Sequence, residues 1–160
     1  MKSSPVQAVY GGGRLASRTR VVWQVRLWDE NSTAGDWSEC AVFEIGLLTA
    51  ADWQAQWITG DYTPDPKRRY PVDCFQKHFT TREVKKARLY ATAFGIYQAA
   101  VNGQTVDGFV LAPGVTDYRK RVQYQTYDVT ALLLQGDNTL AFQLADGWYD
   151  AHMDDYSLFP

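Results

Sequence analysis

Apolar and polar positions alternate through much of this chain. Val21-Val22-Trp23-Gln24-Val25-Arg26-Leu27-Trp28-Asp29 puts Trp23, Val25 and Leu27 on one side of an extended backbone. Ala41-Val42-Phe43-Glu44-Ile45 alternates the same way, and Asn31 to Asp36, rich in Ser, Thr, Gly and Asp, reads as the loop between the two runs. The pattern predicts a hairpin closing at Gly46. A fibronectin-type or immunoglobulin-like sandwich takes about 100 residues, so residues 1–46 read as the last strands of such a domain. Thr49 to Trp53 predicts a short helical turn with Thr49 as N-cap, inside a linker over 47–57. Trp53 and Trp57, four apart, are expected to pack into the seam between two domains.

Beyond the proline-rich loop at 61–71, strand signals recur at short intervals. Cys74 to Phe79, Ala87 to Ala93, Ile96 to Val101, Val122 to Asp128 and Thr139 to Ala145 are each short, alternating or β-branched. Asn102-Gly103 predicts a type I′ turn, because both central residues of that turn need positive φ. Thr130 to Leu134 reads as one helical turn, capped by Asp128 or Thr130 and stopped near Gly136. Short strands with turns about every ten residues predict an all-β, antiparallel, jelly-roll-like β-sandwich over 58–160.

Composition narrows the function classes. Of 160 residues, 46% are hydrophobic, enough to bury a core, and 14% are aromatic. A net charge of −2 excludes nucleic acid as the main partner, and the clusters Lys67-Arg68-Arg69, Lys85-Lys86 and Arg119-Lys120-Arg121 read as solvated surface. There is no apolar run of about 18 residues and no signal-peptide-like apolar stretch in the first twenty, so no membrane partner is expected and the compartment stays unassigned. Cys40 and Cys74 are too few for a zinc site and read as free, partly buried thiols, with a single bridge between them left open.

The ordered set of motifs is more specific than any one of them. Trp53-x-Ala55-x-Trp57-Ile58, Phe75-x-Lys77-x-Phe79, Ala87-Arg88-Leu89-Tyr90 and Gly95-x-Tyr97 are followed by Asn102-Gly103 and Pro113-Gly114-x-Thr116-Asp117-Tyr118. Tyr124-x-Thr126-Tyr127-Asp128-Val129-Thr130, Gly136-x-Asn138 and Gly147-Trp148-Tyr149 complete the series. This order resembles the N-terminal β-sandwich region of the bacterial α-L-rhamnosidases, glycoside hydrolase family 78. The strand Trp23-x-Val25-Arg26-x-Trp28-Asp29 with Trp37-Ser38 resembles the end of the fibronectin-type domain preceding that sandwich.

The resemblance implies a parent enzyme that hydrolyses terminal α-L-rhamnosides by inversion, with its paired carboxylates on a helical barrel. Nothing in 1–160 reads as that barrel. This chain is therefore expected to be a non-catalytic accessory fragment, with its sandwich cut short at the C-terminus, that braces or positions the catalytic domain. Incomplete sandwiches leave edge strands open, so self-association is expected too.

Binding chemistry is the alternative reading. The resemblance implies that some of these sandwiches bind L-rhamnose or rhamnosylated glycans with calcium, through an Asp-Asn pair that would fall near 108 and 109. Gly108 and Phe109 stand there instead, with Asp107 one place earlier. Asp107, Asp146, Trp148 and Tyr149 are the candidate carbohydrate contacts. The acidic residues Asp146, Asp150, Asp154 and Asp155 also read as a solvated terminal loop, and His78 as an ordinary strand residue. His152 offers too few ligands for a hard cation, which needs about six oxygens.

Overall fold

In the computed structural model, which describes residues 9–63, 65, 68, 70–106, 108–147 and 149, every strand pair is antiparallel. No α-helix occurs among the described residues, and no helix there is long and apolar enough to cross a membrane. The chain divides into two units, one ending at Ile58 and the next beginning at Thr59.

The first unit is the expected hairpin, but its ladder is interrupted. β1 (Arg20–Trp23) pairs with β4 (Ala41–Glu44), and β2 (Arg26–Trp28) pairs with β3 (Ala34–Trp37). The break in the predicted continuous strand has a local cause at Ser38. Its backbone N–H donates to the Val25 carbonyl (2.8 Å), while its hydroxyl accepts the Val25 N–H (3.0 Å) and its carbonyl accepts the Gln24 amide (2.8 Å). A side-chain oxygen thus takes the place of a ladder acceptor. Strand β3 also starts inside the stretch that composition marks as loop. Asp29 closes the shortened turn by accepting the backbone N–H of Asn31 (3.0 Å) and Thr33 (2.7 Å). Across the inner ladder the Arg26 guanidinium lies 5.7 Å from the rings of both Trp28 and Trp37, and its Nε donates to Gly35 O at 2.8 Å. Such contacts are each worth about 0.5–1 kcal/mol at exposed positions and clasp the hairpin. Thr49 precedes a 3₁₀ turn, Ala50–Asp52, and both its N–H and its hydroxyl donate to Asp52.

The second unit is a sandwich of two unequal layers. One sheet has the order β5-β10-β7-β8, formed by β5 (Asp73–Thr81), β10 (Gly136–Ala145), β7 (Ile96–Val101) and β8 (Gln104–Thr105). The other pairs β6 (Arg88–Ala91) with β9 (Gln125–Asp128). Asn102 and Gly103 turn β7 into β8 with φ of 51° and 77°, the positive values the sequence predicts. Buried Ala91, Tyr97, Ala99, Val101, Tyr127 and Val129 fill the space between the layers, with Leu140, Phe142 and Leu144 packed against them. The buried face of the 122–128 run is thus the one carrying Tyr127.

Two asparagines brace one end. The Asn138 amide donates to Thr81 Oγ1, Leu134 O and Gly136 O, and its Oδ1 accepts from Leu134 N and Asn102 Nδ2, all at 2.8–3.0 Å. Asn102 reaches on to Leu132 O and accepts from Thr139 N. Asp128 accepts the hydroxyl (2.6 Å) and N–H (3.1 Å) of Thr130 at the start of the 3₁₀ turn Thr130–Leu132, and pairs with Arg88. Cys40 and Cys74 are free and exposed, not partly buried. Cys40 lies in the connection between β3 and β4, and Cys74 alternates outward on edge strand β5.

Candidate functional site

At the end of β10 two glycines let chain segments cross where a side chain would not fit. A Cβ on Gly95 (φ +115°) would stand 2.3 Å from the Ala145 carbonyl oxygen, and one on Gly147 (φ +54°) would stand 2.8 Å from the Ile96 nitrogen. The crossing brings together aromatic residues far apart in sequence. The Tyr149 ring lies 4.8 Å from that of Phe94 and 5.4 Å from that of Tyr118, the second contact nearly edge-on, while Phe94 and Tyr118 are 5.9 Å apart. Tyr149 remains 51% exposed, so its ring presents an open surface beside its packed edge.

Asp146 touches this cluster through its backbone. Asp146 is exposed, and its carbonyl accepts the Tyr149 N–H at 3.2 Å. Tyr62 donates its hydroxyl to Asp73 at 3.1 Å and stacks on Tyr70, with centroids 5.1 Å apart. Partial burial, then the hydrogen bond to Asp73 and the charges of Asp73 and Asp146, raise the Tyr62 phenol above its ordinary pKa. Burial likewise raises that of Tyr118. Aromatic faces offer an apolar platform and the carboxylates accept hydrogen bonds, the pairing that polyhydroxylated ligands require.

Of the four candidate contacts, Asp146 and Tyr149 fall in this region. Asp107 and Trp148 lie outside the described residues, as do Asp150, His152, Asp154 and Asp155. Sequence reasoning missed Phe94, whose signal was its place just before the crossing Gly95. Tyr118 stood in a quoted motif without being tied to Tyr149. The residues described do not fit a calcium ion. Gly108 and Phe109 bring no side-chain oxygen, the Phe109 ring packs edge-on against Tyr127 at 5.7 Å, and no group of three His, Cys, Asp or Glu occurs among the described residues. His78 is exposed on β5, its ring beside Gln76 (3.3 Å) and Thr139 (3.1 Å). Arg119 and Lys120 both pair with Asp117, whose carboxylate those two cations hold below its usual pKa.

Comparison with known proteins follows the same division of the chain. Residues 82–157 match the family model of the alpha-L-rhamnosidase N-terminal domain, and residues 1–49 match that of the Rha78A-like N-terminal immunoglobulin domain. The chain belongs to the N-terminal region of the alpha-L-rhamnosidases. An alpha-L-rhamnosidase of Alteromonas sp. (strain LOR) is 39% identical over 97% of this chain, and one of Formosa agariphila is 38% identical over 95%. Among solved structures, the alpha-L-rhamnosidase of Aspergillus terreus superposes with a TM-score of 0.80 at 35% identity over 86% of this chain. That of Dictyoglumus thermophilum gives 0.78 at 32% identity over 88%. This rhamnosidase segment spans 18% of the length of either curated relative and 16–17% of the solved chains. All four candidate contacts fall within the segment matched by the rhamnosidase N-terminal model.

Proposed function

We propose that this chain is a non-catalytic accessory region of an alpha-L-rhamnosidase that braces or positions a catalytic domain. The observation carrying this reading is the match of both ends of the chain to N-terminal domains, at 18% of the length of its relatives. The parent's hydrolysis of terminal α-L-rhamnosides belongs to the same proposal. Incubated with a nitrophenyl α-L-rhamnoside, the chain is expected to release no nitrophenol, and turnover that scales with its concentration would overturn the reading.

A second reading, carbohydrate binding, is favoured by the open ring of Tyr149 against Phe94 and Tyr118 beside Asp146. Asp107 and Trp148 remain proposed contacts of that site. It takes L-rhamnose or a rhamnosylated glycan as ligand, and the described donors give no support to calcium. A ligand that binds only the folded state raises the melting midpoint by mass action. Millimolar L-rhamnose should shift the melt of the native chain and not that of Tyr149→Ala; an unmoved native melt removes the second reading and leaves the first. The edges that no described strand pairs support self-association of the chain as a further part of the proposal.

A further inference from the structure

β5 is the longest open edge among the described strands. It stands at one end of the four-stranded sheet, and no described strand pairs with its outer side, whereas the opposite edge, β8, is two residues long. The bonding direction along β5 follows from its neighbour. Thr139 turns both backbone groups toward β7, its carbonyl accepting Asn102 N and its N–H donating to Asn102 Oδ1. Alternation then aims Leu140, and its partner Lys77, into the β5–β10 ladder. The N–H and C=O groups of Cys74, Gln76, His78 and Thr80 therefore point away from the sheet, and all four residues are exposed.

The sequence of this edge is nearly its own reverse: Phe75-Gln76-Lys77-His78-Phe79. We propose that β5 pairs with β5 of a second copy of this chain, antiparallel, about a two-fold axis through Lys77. The inference deepens the self-association reading above and rests on it. In this register Gln76 and His78 exchange backbone hydrogen bonds with His78 and Gln76 of the other copy, bonds that no described strand supplies to their outward groups. Phe75 meets Phe79 on the core side, an aromatic cross-strand pair formed twice. Each Phe is only half-buried within one chain, so the seam covers what the edge leaves open. Cys74 meets Thr80 on the outer side. The opposing term is Lys77, which meets its own copy, because like charges directly opposite are destabilising. The symmetry is isologous, the commonest arrangement of soluble dimers.

Sedimentation equilibrium of the native chain, Lys77→Gln and Gln76→Lys/His78→Lys tests the seam, with circular dichroism verifying that each variant folds. A concentration-dependent dimer is expected. Removing the Lys77 pair should tighten it roughly twofold to fivefold, and the four lysines added across the seam should weaken it by at least about tenfold. The register has its own readout. In a Cys40→Ser background, Thr80→Cys should yield a covalent dimer on mild oxidation, with Cys74 peptides linked to the introduced thiol of the other copy. Those positions, six residues apart on one strand, are about 20 Å from each other and cannot bridge within a chain. A chain that stays monomeric at every concentration removes self-association altogether. A dimer indifferent to both charge variants, or lacking the specific cross-link, leaves self-association standing and removes the β5 seam.

Discussion

The hydroxyls of Tyr97 and Tyr127 meet at 3.0 Å in the buried middle of the second unit, one from each layer of the sandwich. Tyr97 also donates to the Ala91 carbonyl at 3.3 Å, so Tyr127 supplies the hydrogen between the two phenols. Removing Tyr97 strands a buried hydroxyl and a buried carbonyl, whereas removing the Tyr127 hydroxyl leaves the Tyr97–Ala91 bond intact. Tyr97→Phe should cost about 1–3 kcal/mol and Tyr127→Phe about 1 kcal/mol, with the double variant less damaging than the sum. Urea unfolding of the four proteins measures the coupling.

Burial raises the Tyr97 phenol well above its ordinary pKa. The raised value means that Tyr97 contributes its full stability below about pH 10, where an unfolded tyrosine is still neutral. As pH rises past that point the unfolded chain ionises first, and stability falls. Melting midpoints of the native chain should drop above about pH 10 more steeply than those of Tyr97→Phe.

The acid limb rests on exposed carboxylates. Asp128 is held below its usual pKa by the Thr130 hydroxyl, then the Thr130 N–H and Arg88. Its contribution is present above the unfolded value of about 3.9 and is lost as pH falls through the lower folded value. Asp128→Asn should lower the midpoint modestly at pH 7 and leave it closer to native near pH 2, because the carboxylate is largely solvated.

Asn138, only 2% exposed, has both its amide nitrogen and its oxygen fully engaged. Asn138→Ala leaves several buried groups unpartnered and should cost at least about 3 kcal/mol. Asn138→Asp keeps the shape but loses the donors to Leu134 O and Gly136 O, and should be comparably destabilised at neutral pH. Denaturant midpoints of both variants check this.

Gly95 and Gly103 both have positive φ, but only Gly95 faces a backbone atom where a Cβ would go. Gly103→Ala should cost only the left-handed penalty, about 1–2 kcal/mol. Gly95→Ala adds displacement of the Ala145 carbonyl and should cost more. It should also disturb the Phe94–Tyr149 contact, seen as a change in near-ultraviolet circular dichroism that Gly103→Ala does not share.

Strand existence and the Asn102-Gly103 turn were legible because they depend on local terms: alternation, β-branching and the φ tolerance of Asn and Gly. Ser38 was not legible as an interruption, since a serine in a strand and a serine replacing a ladder acceptor look alike until the partner strand is placed. Half of the aromatic site was legible for the same reason. Tyr149 stood out beside Asp146, whereas its contacts Phe94 and Tyr118 lie 55 and 31 positions away.

By itself, the sequence determined an all-β antiparallel chain and its family, since both follow from periodicity and from the order of turn motifs along one dimension. Only the tertiary structure decided which rings meet Tyr149, which hydroxyl Tyr97 shares and which side of β5 the described strands leave unpaired. Those are contacts between segments distant in the chain, set by how two layers register and where glycines allow backbones to cross, and no local pattern encodes that distance.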